Sequence, residues 1–289
     1  MRIVLTSDLH YDVARSRQPT EDLARRLCRN GGDVLVFVGD SAAADLAILE
    51  RCFGLFESFR GPRLFTPGNH DLWVDPESDS RRRYAVELPA VCARSGVHYL
   101  DDGPFFAGDC ALVGNIGWYD YTFRAARLGI PLRFYRSKVA PGAAALLDGH
   151  RHLVEGYDDV PLSAGQIAIR WMDGVRVRLD RSDVAFTQEA AGRLRAHLAL
   201  AAARVRRIVV GVHHLPWAEL VPRAVSPAFA FASAFLGSEL LGETVLEFPQ
   251  VTHVYCGHSH RRVHCRKRGV EAVSIGSSYT VKEYEVLDV

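Results

Sequence analysis

The chain has 289 residues, 48% of them hydrophobic, and a formal net charge of +1. That length suits one large domain with a substantial core, or one domain plus a lid. Near-neutral charge excludes bulk electrostatic capture of nucleic acid or membrane and leaves only local patches.

From the N-terminus, Arg2–Thr6 reads as a short buried strand. Its apolar stretch Ile3-Val4-Leu5 is too short for a signal segment or a membrane span. Asp8-Leu9-His10 lies in the loop beyond. Thr20 is predicted to cap a helix that carries Glu21 and Asp22 in its first turn and ends at Asn30-Gly31. Val34–Val38 is a continuous apolar run of strand length, followed by Gly39-Asp40. A helix over Ala42–Phe59 comes next, then a strand over Arg63–Thr66 that delivers Gly68-Asn69-His70-Asp71. The alternation of strands and helices to about Leu100 predicts an α/β sheet.

Between Asn115 and Arg207 no chemical motif stands out. Ala190, Leu194, Leu198, Ala201 and Val205 recur at helical spacing, so Thr187–Val205 reads as an amphipathic helix packed on the core. The stretch before it contains Trp118-Tyr119-Asp120-Tyr121 and Arg133-Phe134-Tyr135-Arg136. An insertion over 119–186 is expected here, forming a lid or pocket wall; the Trp118–Tyr121 aromatics suit a core role equally. Arg207–Val212 is another strand, ending at His213-His214, and Val251–Cys256 precedes Gly257-His258-Ser259-His260. Arg261–Val289 alternates and carries Gly269 and Gly276, which predicts antiparallel strands closing a second sheet. The cysteines (Cys28, Cys52, Cys92, Cys110, Cys256 and Cys265) lack Cys-x-x-Cys spacing and point to a reduced, cytoplasmic compartment.

Every polar cluster falls just after a predicted strand, the edge at which open α/β sheets bind ligands. Asp8, His10, Asp40, Asn69, His213, His258 and His260 supply seven oxygen and nitrogen donors. That set suits two divalent cations held close together. Its mixture of carboxylate, amide and imidazole favours Mn, Fe, Zn or Ni over Ca or Mg, and the lack of a thiolate argues against structural zinc. Two such metals are a device for splitting phosphate esters. Asparagine occurs only at Asn30, Asn69 and Asn115, so Gly-Asn-His-Asp is expected by chance less than roughly once in a thousand such chains.

On these residues the chain resembles the calcineurin-like metallophosphoesterases. Their pattern runs Asp-x-His, Gly-Asp, Gly-Asn-His-Asp/Glu, a strand-end His and Gly-His-x-His, and each block is present between Asp8 and His260. The resemblance implies a single domain over 1–289, an αββα sandwich of two mixed sheets flanked by helices. It implies one metal on Asp8, His10 and His260, a second on Asn69, His213 and His258, and Asp40 bridging both. Manganese is the first expectation for the pair. A metal-bridging hydroxide would then attack phosphorus.

His70 sits beside Asn69 but outside the ligand set, and is expected to protonate the leaving alkoxide as general acid. Asp71, next in sequence, is expected to orient it. Asn69 and His70 are also expected to meet the substrate, as is Arg261, which directly follows His260. His214 reads as a supporting or structural neighbour of His213. The runs Arg81-Arg82-Arg83 and Arg266-Lys267-Arg268 read as solvated faces.

The family's Ser/Thr protein phosphatases follow Gly-Asp with x-Val-Asp-Arg-Gly. Here Gly39-Asp40-Ser41-Ala42-Ala43-Ala44 lacks that Asp and Arg, which argues against a phosphoprotein substrate. The expected substrate is a small phosphomonoester or phosphodiester, with nucleotide-like compounds included. The alternatives are a catalytically inactive scaffold of this fold and a nuclease. The complete ligand set disfavours the first, and the small net charge the second.

Overall fold

Strand pairing in the computed structural model, which describes residues 1–289, divides the chain into two sheets. In the first, β1 (Arg2–Thr6), β2 (Val34–Val38), β3 (Arg63–Thr66) and β4 (Val97–Tyr99) run parallel, and β11 (Tyr284–Asp288) pairs antiparallel with β1. The second sheet has the order β5-β6-β7-β8-β10-β9. Its parallel centre is β6 (Cys110–Asn115), β7 (Arg207–Val212), β8 (Val251–Cys256) and β10 (Val270–Ser274). Antiparallel edges are added by β5 (Phe105–Ala107) and β9 (Val263–Lys267).

Side chains alternate across each strand, and the alternation sorts the core into layers. Ile3, Leu5, Val36, Val38 and Leu64 face inward and meet Leu112, Val209 and Tyr255 of the other sheet. Val4, Leu35, Phe37 and Phe65 face outward onto the flanking helices, among them α1 (Ala14–Asn30) and α2 (Leu46–Gly54). On the far side Val113, Ile208 and Val210 pack against Leu194, Leu198 and Leu241. The result is helix, sheet, sheet, helix. Because β1, β2, β3, β7 and β8 are parallel strands within their sheets, their C-terminal ends deliver the motif loops to one edge. No helix is long and apolar enough to cross a membrane.

Three local expectations need correction. Thr20 does not start a helix: α1 begins at Ala14 and Thr20 lies inside it. Its hydroxyl donates to Ser16 O at 2.8 Å and to Leu9 O at 3.1 Å, while the Ser16 hydroxyl also donates to Leu9 O at 2.9 Å. A cap-forming side chain is thus used to grip the loop between Asp8 and His10. The helix expected over Ala42–Phe59 is shorter, Leu46–Gly54, capped by Asp45, whose carboxylate accepts from Ala47 N at 2.8 Å. Residues 41–44 stay non-helical because the Ser41 and Ala42 amides are committed to the Asp71 carboxylate. At the C-terminus, β9 and β10 do extend the second sheet, but β11 crosses to the first.

The segment 119–186 forms short turns of helix, including Leu132–Arg136, Pro141–Leu146 and Asp173–Arg176. Trp118 and Tyr119 are fully buried and stack with ring centroids 4.8 Å apart. Asp183 anchors the segment, accepting from Trp118 Nε1 at 2.9 Å, from the Tyr121 hydroxyl and from Lys138 Nζ. It opens the long helix Asp183–Ala202, capped by Ser182 and starting one turn before the expected Thr187.

Phe37 is fully buried between Phe53 and Phe56, at centroid distances of 5.5 and 4.9 Å. Phe37→Ala is expected to lower unfolding free energy by about 3–5 kcal/mol, read from the urea midpoint.

Candidate metal centre

The donors converge on this shared edge. Asp8 and His10 follow β1, Asp40 follows β2, Asn69 follows β3, His213 follows β7, and His258 and His260 follow β8. Asp8, His10, Asp40, His258 and His260 all have positive φ, between 42° and 68°. Asp and His are among the residues that tolerate this left-handed region best after glycine and asparagine. The sharp turns aim successive donors inward from very short loops. The motif glycines provide clearance: a Cβ at Gly39 would lie 2.2 Å from His213 Nδ1, and one at Gly68 would lie 2.2 Å from Asp40 Oδ1.

Two overlapping clusters frame the site, and a third grouping, His10, Asp40 and His70, shares one member with each. Asp8, His10 and His260 form one, with the two imidazole Nε2 atoms 3.1 Å apart and His260 Nε2 at 3.3 Å from Asp8 Oδ1. Asp40, His213 and His258 form the other. Asp40 joins them, its Oδ2 at 3.6 Å from His10 Nε2 and its Oδ1 at 3.4 Å from His213 Nε2. The Asn69 Oδ1 and His213 Nε2 atoms are buried without a hydrogen-bond partner. Buried polar atoms left unpaired are costly, and His213 Nε2 stands 3.4 Å from Asp40 Oδ1. A donor set of this chemistry, with orphaned polar atoms and two lobes sharing one carboxylate, fits a pair of cations.

The profile of the calcineurin-like phosphoesterases matches residues 1–262. The chain belongs to this family. Among solved structures the phosphopantetheinyl hydrolase of Mycobacterium tuberculosis is similar at TM-score 0.70 and 18% identity, covering 96% of this chain and 89% of that one. A dimetal phosphatase from Danio rerio is similar at 0.54 and 13%, covering 99% and 91%. TT1561 of Thermus thermophilus is similar at 0.54 and 14%, covering 96% and 90%. No curated protein matches. At these identities the structural neighbours speak for the fold. The family match and the candidate ligands together support phosphoesterase activity in general.

Within this candidate centre, orientation is set by backbone carbonyls. His213 Nδ1 bonds Val38 O at 3.0 Å, which leaves Nε2 for the site. His258 Nε2 instead meets Phe235 O at 3.1 Å, which turns Nδ1 inward. His214 bonds Ile116 O at 2.9 Å through Nδ1 and belongs to neither cluster. Burial opposes charge on Asp40, yet the facing His213 and His70 hold its carboxyl well below the usual carboxylate range. Burial likewise opposes a proton on His213, but Asp40 outweighs it and raises the imidazole to about 9. Burial pushes His10 and His258 well down, which favours their neutral form.

Two expected site residues are placed elsewhere. Asp71 does not touch the His70 ring. Its carboxylate accepts from the amides of Asp40 and Gly68 at 2.8 and 2.7 Å, and from Ser41 and Ala42 at 3.1 Å each. It organises the Asp40 loop. Burial and then the Asp40 charge push this carboxyl up to about 8, against the pull of those amides. Arg261 is exposed and does not line the pocket above the donors; Arg170 does. His70 remains at the floor, its amide donating to Asp40 Oδ1 at 2.9 Å and its ring 4.6 Å from His10.

Sequence reading missed Trp73, Arg170, Trp171, Asp173 and Tyr279, all lining that pocket. Trp73 lay within reach, two residues past the Gly-Asn-His-Asp block. The others carry no local signal.

Metal-free protein is expected to bind two transition-metal ions per chain, with affinity rising toward pH 9 as His213 loses the proton that a cation must displace. Titration calorimetry in buffers of different ionisation enthalpy checks this through proton release, and a flat affinity across that range contradicts it. In the metal-free chain the raised His213 stabilises the fold fully below its ordinary 6.5. That contribution is lost as pH climbs through about 9, so the melting temperature should fall over this window.

Proposed function

We propose that this chain is a dinuclear metal-dependent phosphohydrolase acting on a small phosphate ester whose organic part lies against an aromatic wall. The supporting observation is that Asp40, Asn69, His258 and His260 line one pocket with Asp8, His10 and His213 buried against them. This pocket, about 420 Å³, is walled by Trp73, Trp171, Met172, Phe229 and Tyr279. Asp8, His10 and His260 would hold one ion, Asn69, His213 and His258 the other, and Asp40 both. Manganese is the first candidate. When bound, the pair supplies an acidified water and offsets charge building on the phosphoryl oxygens.

The chain's own residues contribute the rest. Asp40 presents one oxygen to each lobe and so fixes their separation. His70 lines the pocket outside both lobes, where its ring is placed to give a proton to the departing alkoxide. Trp73 stacks on that ring at 3.7 Å with an interplanar angle of 22°, which holds its orientation. Arg170 lines the pocket and takes the role of meeting a phosphate oxygen. The aromatic wall suits a leaving group with a sizeable apolar part.

Turnover of mono- and bis-nitrophenyl phosphate with added Mn tests the reaction and separates monoester from diester preference. A phosphopantetheinyl ester belongs in the same panel, because that is the group named for the mycobacterial neighbour. No turnover of any ester by the fully metallated chain would overturn the proposal. Asp40→Asn is expected to abolish hydrolysis. His70→Ala is expected to retain both ions and to slow esters with poor leaving groups most, by about 10²–10⁴-fold. Equal losses across leaving groups would remove the acid role.

A further inference from the structure

We propose that Asp173 is a positioning residue of the metal centre, setting both the Asn69 amide and the indole beneath His70. The proposal rests on the dinuclear reading above and adds a residue to it. Asp173 is 1% exposed and comes from the segment 119–186, far in sequence from every motif block. Its Oδ1 accepts from Asn69 Nδ2 at 2.9 Å and from Trp73 Nε1 at 2.8 Å. Its Oδ2 accepts from the Tyr119 hydroxyl at 3.0 Å and from Trp171 Nε1 at 2.8 Å.

The chemistry of that contact is directional. The two ends of an asparagine amide have nearly the same shape, so packing alone does not choose between them. A carboxylate that only accepts selects the NH2 end. Asp173 thereby turns Asn69 Oδ1 the other way, where it is buried with no partner of its own. A flipped amide would offer N–H groups where a cation needs a lone pair. The same Asp173 oxygen holds the Trp73 indole, whose face carries the His70 ring. One atom therefore orients a ligand of the second metal and the ring assigned as acid. Partners that orient metal ligands in this way typically account for 10–100-fold in metal affinity.

Mn titration of chelator-stripped protein, followed by calorimetry and by the fluorescence of the pocket tryptophans, tests this. Wild type should show two binding steps; fewer would overturn the dinuclear reading itself, whatever the variants do. Asp173→Ala should weaken one step by about 10–100-fold and leave the other unchanged. Asp173→Asn keeps an acceptor for Asn69 and Trp73, and the Tyr119 hydroxyl can rotate to accept from the new amide, but Trp171 Nε1 can only donate and is left opposed to it, so this variant should restore part of the lost affinity. Tyr119→Phe, which removes a donor from the opposite oxygen, should lower the melting temperature and spare both steps. Asp173→Ser, polar but too short to reach Asn69, serves if the alanine variant does not fold and should behave as alanine would. Unchanged affinities in folded Asp173→Ala or Asp173→Ser would overturn the proposal. So would equal weakening of both steps in proportion to lost stability, the mark of a merely structural role.

Discussion

Two carboxylates, Asp8 and Asp40, are buried side by side among imidazoles, and the rest of the molecule is arranged around keeping them there. Buried anions must be compensated at close range or be neutralised. The chain supplies part of that compensation from backbone. The His258 amide approaches both Asp8 oxygens at 3.0 and 3.2 Å, and the His70 amide meets Asp40. Lys282, itself buried, clamps the Asp8 carbonyl at 2.6 Å. Side-chain and backbone contacts at this density require loops with almost no slack. That is why the donors sit within a few residues of parallel strand ends rather than on mobile excursions.

How much of this was legible follows from how far each interaction reaches along the chain. The donors and their edge were readable because each block is local: a strand, a glycine, then the donor. The glycines carried the clearest message, since Gly39 and Gly68 are spaces that donors from other blocks occupy. Residues judged by adjacency fared worse. Asp71 follows His70, but the tight turn from His70 to Leu72 sends consecutive side chains apart, so the carboxylate serves the Asp40 loop instead. Arg261 follows His260, whose backbone is left-handed, and its side chain is exposed. Thr20 looked like a cap because capping chemistry is common; Leu9 O, eleven residues back, outcompeted the helix terminus for its hydroxyl. The partner of β11 lies at the opposite end of the chain, and no local pattern specifies that.

The segment 119–186 was silent for a different reason. It builds no long periodic element, so its contribution is made by single residues whose partners are remote. Asp183 ties it to the core through Trp118 and Tyr121, and Asp173 ties it to the donors through Asn69 and Trp73. Both anchors are buried acids receiving aromatic N–H and O–H groups. The aromatics that looked equally suited to core or pocket do both jobs at once, since Tyr119 is fully buried and still bonds Asp173.

The left-handed backbone at Asp8, His10, Asp40, His258 and His260 has a consequence for selection. Such conformations cost roughly 1–3 kcal/mol each outside glycine, and together they rival the net stability of a whole domain. Glycine at any of them would relax the chain and erase a donor. Directed evolution for heat resistance alone would therefore drift toward a sturdier molecule with an empty centre, unless turnover is kept in the screen.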